Sequence, residues 1–202
     1  MELDNTIKKA LNEFHLISDE RKKILHKLTD FVSGKNALAD LIFICSHNSR
    51  RSHLSQVWGQ VAANYFGYFG VTCYSGGTEA TAFFPSAIQA LESAGLKVKK
   101  LSQNPNPVYA VKYNVDVHPI TCFSKNFDDE FNVQNNFAAI MTCDHADQNC
   151  PFIPTAAARI PVRYEDPKVA DGTPGQLAKY IERSEQICRE MLYAFSKVLI
   201  PQ

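Results

Sequence analysis

The stretch "LIFICSHNSRRSHLSQ", residues 41–56, changes from apolar to strongly polar at a single cysteine, Cys45. The run before Cys45 is apolar throughout, which is typical of a strand covered on both faces of a parallel sheet. The polar residues after it are expected to form a loop, and a helical pattern follows from about Ser52. This order predicts a strand, a loop and a helix, with a thiol at the carboxyl end of the strand.

Similar strand-like and helical runs alternate along the rest of the chain. The strand-like runs are "LIFIC" (41–45), "VTCYS" (71–75), "FAAIMTC" (137–143) and "RIPVRYE" (159–165). Helical patterns are found at about 52–66, 85–95, 127–135 and 174–199. The alternation predicts an α/β fold with a four-stranded parallel sheet flanked by helices. Ligands of such sheets bind at the carboxyl ends of the strands, where Cys45 is expected to lie.

Two segments interrupt this alternation. Residues 1–37 are predicted to form an N-terminal helical extension, in which Ser18 caps a helix that stops near Gly34. Residues 98–120 contain alternating apolar residues and Asn-Pro pairs, and they predict a β excursion with a hairpin turn near 114–116. The chain is therefore divided into an extension, 1–37, and one domain, 38–202.

The composition excludes several classes of function. The chain has 21 Lys+Arg and 21 Asp+Glu, and this formal net charge of zero gives no general attraction to nucleic acid or anionic membranes. No apolar run approaches the roughly 18 residues that span a bilayer, and the first residues lack the apolar core of a signal peptide. A cytoplasmic location is therefore expected. In a reducing compartment most of the 6 cysteines are expected to be core residues, and Cys73, Cys122 and Cys188 are assigned that role.

Residues 45–52, Cys-Ser-His-Asn-Ser-Arg-Arg-Ser, combine the groups that bind an oxyanion and activate a thiol. The backbone N–H groups of such a loop can point at one centre, and the following helix adds the positive end of its dipole. Arg51 offers a bidentate fork to the anion. The same field stabilises a thiolate at Cys45, which makes it a nucleophile, and Ser52 can donate a hydrogen bond to the sulfur. The residues expected around the anion are Ser46, His47, Asn48, Ser49, Arg50 and Arg51.

A simpler interpretation of this segment is a buried cysteine followed by a basic surface turn, because the spacing Cys-x5-Arg also occurs by chance. His47 and His53 are six residues apart, and no third ligand is near them in the sequence. Both histidines are therefore interpreted as loop residues, and no metal site is predicted.

With these residues in view, the sequence resembles the low-molecular-weight protein tyrosine phosphatase superfamily, which includes the thioredoxin-coupled arsenate reductases. The resemblance covers roughly residues 38–198. It is carried by "IFICSHNSRRS" (42–52), "YSGGTEATAFFPSAIQALESAGLKV" (74–98), "FSKNFDDEFN" (123–132), "IMTCDHADQNCPFIP" (140–154) and "YEDP" (164–167). It implies that Cys45 is the nucleophile and that Asp166 is the general acid, with Glu165 and Asp171 as less favoured substitutes. Arg50 departs from the family, which usually has a small or apolar residue or a cysteine at this position.

A second pair of thiols, Cys143 and Cys150, separates the two branches of this superfamily. Cys143 closes a strand that is expected beside the first one, which would bring it near Cys45, and thiols near a nucleophilic thiol suggest a disulfide relay. The arsenate reductases resembled here carry such a pair. Two alternatives stay open, a zinc site that also includes His145 and Asp147, and two unrelated cysteines.

The leading interpretation is thiol-dependent reduction of arsenate to arsenite. Cys45 attacks arsenic, Asp166 protonates the departing hydroxyl, and Cys143 and Cys150 pass the disulfide outward to an external reductant such as thioredoxin, with no cofactor. The first alternative is a phosphatase that acts on phosphotyrosine or another aryl phosphate monoester through a cysteinyl-phosphate. The second is an anion-binding module without enzymatic activity.

Overall fold

The computed structural model describes residues 2–149 and 152–200, which form helices α1–α6 and strands β1–β7. The helices are α1 (Glu2–Asn12), α2 (Asp19–Gly34), α3 (Arg51–Tyr65), α4 (Pro85–Ser93), α5 (Asp144–Asn149) and α6 (Gln176–Ser196). The strands are β1 (Asp40–Cys45), β2 (Thr72–Gly77), β3 (Lys97–Lys100), β4 (Tyr109–Lys112), β5 (Ile120–Cys122), β6 (Phe137–Met141) and β7 (Ala156–Ile160). Short 3₁₀ turns span Phe14–Leu16 and Pro167–Ala170.

The predicted four-stranded parallel sheet is confirmed, with the strand order β2-β1-β6-β7. The strand β1 lies in the middle and pairs with β2 through Cys45 and Gly77, and with β6 through Ile44 and Met141. The last strand begins and ends earlier than predicted. It stops at Ile160 because Pro161 follows, and proline cannot donate a ladder hydrogen bond.

Successive side chains of β1 alternate between two cores on opposite faces of the sheet. Leu41 and Phe43 lie in the larger core, which α1–α4 and α6 cover, whereas Ile42 and Ile44 lie in a smaller one. The smaller core includes Ala146 of α5 and partly buried side chains from the segment 127–133. Burial on both faces explains why the strand reads as a continuous apolar run.

The predicted β excursion is confirmed as a separate antiparallel sheet with the order β3-β4-β5. Its hairpin turns between β4 and β5, where the Asn114 side chain accepts a hydrogen bond from the backbone N–H of Asp116 (3.1 Å). The sheet leads the chain back to the parallel sheet, since Asn126 forms an isolated bridge with Gly77 at the end of β2.

The N-terminal segment is helical, as predicted, and the Ser18 hydroxyl caps α2 by accepting from the backbone N–H of Arg21 (3.2 Å). Ile7 and Leu25 belong to the same core as α6. The boundary between an extension and a domain at residue 37 stays a prediction. None of the described helices is long and apolar enough to cross a membrane.

The helix predicted over 127–135 is wrong, because this segment forms turns. The carboxylate of Asp129 accepts from the backbone N–H of Phe131 (2.9 Å), and the Asn132 side chain donates to the carbonyl of Ser75 (3.1 Å). Side chains of Asp and Asn that bond backbone groups in this way compete with helix formation.

Candidate active site

Residues 45–52, here called the cradle, connect the carboxyl end of β1 to the amino end of α3. Cys45 is the last residue of β1 and lies deep in the protein, with 3% of its surface exposed. Its sulfur lies 3.0 Å from the hydroxyl oxygen of Ser52 in the first turn of α3. The structure therefore brings the predicted nucleophile and its predicted hydrogen-bond partner together.

Asn48 holds the cradle in shape from inside. It is fully buried and has a positive φ of 42°, which asparagine tolerates better than most residues. Its side-chain oxygen accepts from the backbone N–H of Lys125 (2.9 Å), so its amide nitrogen must face Ser52 Oγ (2.8 Å). Because this NH₂ donates to the hydroxyl oxygen, the hydroxyl proton of Ser52 is free to point at Cys45 Sγ.

Carbonyl groups of the cradle accept hydrogen bonds from backbone N–H groups of the segment that follows β2. Ser46 O accepts from the backbone N–H of Glu79 (2.8 Å), and Ser49 O accepts from that of Phe84 (2.9 Å). A Cβ on Gly77 would lie 2.7 Å from Asn48 N and 2.9 Å from Ser46 O, so this close approach requires glycine.

The N–H groups of the cradle, in contrast, are left without such partners. None of those in residues 46–50 donates to a backbone carbonyl of the described residues. Ser46, Asn48 and Ser49 are nevertheless buried. A row of N–H groups without partners at the amino end of a helix is suited to bind an oxyanion.

Arg51 binds Asp166 in this structure. One terminal nitrogen of its guanidinium lies 2.6 Å from Asp166 Oδ2, and the other donates to the carbonyl of Tyr164 (3.1 Å). Its Nε is buried and has no acceptor among the described residues. The predicted general acid and the predicted anion clamp thus lie together, and one guanidinium donor has no partner among the described residues.

The side chain of Arg50 lies elsewhere than predicted. It donates to the hydroxyl of Tyr180 (2.7 Å) and to the carboxylate of Asp171 (3.0 Å), and its guanidinium stacks 4.2 Å from the ring centroid of Phe84. Asp171 is engaged there and is not a free acid. Only the backbone N–H of Arg50, and not its guanidinium, is therefore placed to contribute to the anion binding that the sequence predicts.

The side chains of Ser49 and His47 contact the segment that follows β2. The Ser49 hydroxyl donates to the carbonyl of Ala82 (2.7 Å), and the exposed His47 lies 3.6 Å from a carboxylate oxygen of Glu79. The interpretation of His53 as a loop residue is wrong. It lies in α3, is fully buried and stacks on Phe83 with ring centroids 4.1 Å apart.

Cys143 follows β6 and is buried beside the cradle, as the strand order predicts. Its sulfur lies 3.6 Å from Ser46 Oγ, and that hydroxyl also contacts Nδ1 of His145 (3.2 Å). The backbone N–H of Ala146 in α5 donates to the same sulfur (3.3 Å). Cys150, the other thiol of the predicted pair, lies outside the described residues.

The helix that follows Cys143 is fixed by ion pairs. Asp147 of α5 pairs with Arg159 and Arg163, and Asp144 pairs with Arg163 at 2.9 Å. Asp147 is therefore engaged with two arginines. Among the described residues, no three His, Cys, Asp or Glu side chains form a group that could hold a metal ion.

Lys125 is a member of the site that the sequence did not reveal. Its backbone N–H holds Asn48, and its backbone carbonyl accepts from Gly77 N–H (2.9 Å). The residue is 2% exposed, and its ammonium lies 4.4 Å from the ring centroid of Phe123. Burial lowers the pKa of Lys125 to about 8. A lysine beside a phenylalanine gives no signal of burial in a sequence.

Tyr180 was missed as well, because a tyrosine on a long amphipathic helix gives no signal of a polar contact with a distant loop. The only signal for this contact was Arg50 itself, a charge where the resembled family has none. Cys73, Cys122 and Cys188 are buried, as predicted.

Comparison with known proteins finds arsenate reductases among the sequence relatives. The chain is 24% identical to arsenate reductase 2 of Staphylococcus epidermidis over 128 residues, which is 63% of this chain and 77% of that protein. It is 26% identical to an arsenate reductase of Halalkalibacterium halodurans over 135 residues, 66% of this chain and 77% of that protein. No family model matches the chain.

Solved structures give weaker matches. A low-molecular-weight phosphotyrosine phosphatase of Vibrio cholerae aligns with a TM-score of 0.49 at 13% identity, covering 78% of this chain and 94% of that one. A mutant of YwlE from Bacillus subtilis aligns with a TM-score of 0.48 at 13% identity, covering 78% of this chain and 97% of that one.

The strand order and the cradle after β1 are those expected from the resemblance, so the chain is similar to the low-molecular-weight phosphatase-like superfamily. Arsenate reductases are among its relatives in sequence.

Proposed function

We propose that this protein reduces arsenate to arsenite. Arsenate binds to the free N–H groups of the cradle and to Arg51, which leaves its pair with Asp166. The Cys45 thiolate attacks arsenic, and an oxygen leaves as water with a proton from Asp166, which gives a Cys45–arsenate thioester. The buried Nε of Arg51, which lacks an acceptor among the described residues, supports this role of the guanidinium.

The redox step uses Cys143. Its thiolate attacks Cys45 Sγ, and the electron pair of the S–As bond passes to arsenic, which leaves as arsenite, As(III). Two thiols are thereby oxidised to a Cys45–Cys143 disulfide. Cys150 then attacks Cys143 and releases the Cys45 thiolate, and a thioredoxin-like dithiol reduces the Cys143–Cys150 disulfide.

The observation that carries this proposal is the place of Cys143. A second thiol whose sulfur lies 3.6 Å from the hydroxyl of Ser46, the residue next to the nucleophile, has no task in ester hydrolysis. The backbone N–H of Ala146 donates to that sulfur (3.3 Å) and so fixes the position of Cys143 beside the cradle.

The test compares arsenate turnover with aryl phosphate hydrolysis in Cys143→Ser. We expect arsenate turnover with thioredoxin and its reductase to fall at least 100-fold, while hydrolysis of p-nitrophenyl phosphate changes less than about threefold. Cys188→Ala is the matched control, because Cys188 is a buried thiol in α6, and it should leave both activities intact. Arsenate turnover by Cys143→Ser at the wild-type rate contradicts the relay.

A phosphatase that acts on an aryl phosphate monoester is the second candidate. It is favoured by the contact between Arg51 and Asp166 at 2.6 Å, because a cradle with a carboxylic acid beside it is sufficient for hydrolysis through a cysteinyl-phosphate. Efficient ester hydrolysis without arsenate turnover would establish this activity. Binding of arsenate and phosphate without any turnover would instead identify an anion-binding module.

A further inference from the structure

We propose that Arg50, Asp171 and Tyr180 form a positioning unit that holds Asp166 over the cradle. The inference rests on the proposed function in one respect, the role of Asp166 as general acid. Arg50 and Arg51 are neighbours in the chain, and each grips one end of the segment 166–171. The segment is therefore attached to the cradle at two points, of which only one has to open when an anion binds.

The unit is closed by three short contacts. Arg50 Nε donates to Tyr180 OH (2.7 Å), Arg50 donates from a terminal nitrogen to Asp171 Oδ2 (3.0 Å), and Tyr180 OH donates to Asp171 Oδ1 (2.8 Å). Both carboxylate oxygens of Asp171 are thus used. Burial raises the pKa of Tyr180, and the hydrogen bond to Asp171 raises it further, so this hydroxyl keeps the proton that it donates.

Aromatic packing fixes the plane of the guanidinium. The ring of Phe84 stacks on Tyr180 at 5.4 Å between centroids, and the Arg50 guanidinium lies 4.2 Å from the centroid of Phe84. Only 14% of the Arg50 side chain and 24% of that of Asp171 are exposed, so solvent screens the ion pair weakly. Phe84 also donates its N–H to the carbonyl of Ser49, which ties the unit to the cradle.

A tight turn links the unit to Asp166. The backbone N–H of Lys168 donates to Asp166 Oδ1 (3.1 Å), and that of Asp171 donates to the carbonyl of Lys168 (3.0 Å). The backbone then leaves through Gly172, whose φ is 75° and whose N–H donates to Gln176 at the start of α6 (2.7 Å). A shift of Asp171 is therefore passed on to Asp166 through a single 3₁₀ turn.

The second attachment matters at the moment of reaction. An oxyanion that engages Arg51 competes with Asp166 for the same guanidinium, and Asp166 has to turn toward the leaving oxygen. With only the Arg51 contact, no ion pair would then join the segment 166–171 to the cradle. The pair between Arg50 and Asp171 keeps the backbone of the segment in place, and general acids need positions that are fixed within about 0.5 Å.

The first experiment uses Tyr180→Phe, which keeps the ring, and two esters with different leaving groups. Phenol is a poor leaving group and needs an acid, whereas p-nitrophenol leaves without much help. We expect kcat/KM of Tyr180→Phe to fall about 10-fold or more for phenyl phosphate and less than about threefold for p-nitrophenyl phosphate. Tyr193→Phe, the same change elsewhere on α6, should lower neither. Equal loss with both esters, or no loss, overturns the inference.

A double-mutant cycle applies to arsenate turnover as well as to ester hydrolysis. If Asp171 and Tyr180 act through Asp166, then Tyr180→Phe and Asp171→Asn lower the rate in the wild-type background and have no further effect in Asp166→Asn. A full additional loss in the Asp166→Asn background overturns the positioning role. A wild-type protein that turns over neither arsenate nor either ester contradicts the proposed function itself, which is a different outcome.

Discussion

Asn48→Asp provides the most direct test of how the cradle activates its thiol. The change is isosteric, and the remaining oxygen can still accept from the Lys125 N–H, which lies 2.9 Å from Asn48 Oδ1. The atom that faces Ser52 Oγ at 2.8 Å, however, changes from a donor to an acceptor. The Ser52 hydroxyl then donates to the new carboxylate and no longer to Cys45 Sγ, which lies 3.0 Å from it.

The size of the effect follows from the form of a thiol that reacts with an alkylating agent, which is the thiolate. A hydrogen bond to a charged group contributes about 1.5–3 kcal/mol, and about 1.4 kcal/mol corresponds to a factor of ten. We therefore expect the rate of alkylation of Cys45 by iodoacetamide at pH 7 to fall about 10- to 100-fold. The negative charge of the introduced carboxylate acts in the same direction, since it also destabilises a nearby thiolate.

The rate is measured by peptide mass spectrometry, with the buried Cys73 as an internal reference. Ser52→Ala removes the same donor directly and should produce a similar loss. Because both changes remove the same hydrogen bond, adding Ser52→Ala to Asn48→Asp should slow the reaction little further than Asn48→Asp alone. Alkylation of Cys45 within twofold of the wild-type rate in both single variants would refute the proposed orientation of Ser52, provided that their urea midpoints show folded protein.

Three further predictions concern stability, measured by urea unfolding. Gly77→Ala should cost roughly 1–3 kcal/mol, because its Cβ would lie 2.7 Å from the backbone nitrogen of Asn48, whereas Gly34→Ala, whose Cβ meets nothing within 4 Å, should be neutral or stabilising. Burial lowers the pKa of His53 to about 3, so only the unfolded chain binds a proton between about pH 6.5 and 3. Stability should therefore fall as the pH is lowered through this range, and His53→Leu should reduce that slope by up to about 1.4 kcal/mol per pH unit. The pKa of Lys125 is about 8 in the folded state, against an ordinary value of 10.5, so the unfolded chain alone keeps the proton between these pH values. Stability should therefore rise as the pH is raised from about 8 to 10.5, and Lys125→Met should remove this rise. Unchanged slopes in these variants would contradict the assignments.

The local pattern of apolar residues was sufficient to predict the parallel sheet and the position of Cys45 at the end of one of its strands. The continuous apolar run 41–45 indicates burial on both faces of the sheet. The spacing between Cys45 and Arg51 indicates a loop at the amino end of a helix. Pattern failed where side chains bond the backbone. The segment 127–135 looked helical, but Asp129 bonds the N–H of Phe131 and so favours a turn.

The amino-acid sequence by itself determined the four parallel strands, the loop between Cys45 and a helix, and the presence of a second thiol at the end of the neighbouring strand. Only the tertiary structure decided what surrounds them: Asn48 is held by a backbone group 77 residues away, and Arg50 bonds Tyr180, which is 130 residues away. The physical reason is that hydrophobic periodicity reports which side of an element is buried. It does not report which distant segment lies beside a polar group in the folded chain, and that segment supplies the group's hydrogen-bond partners.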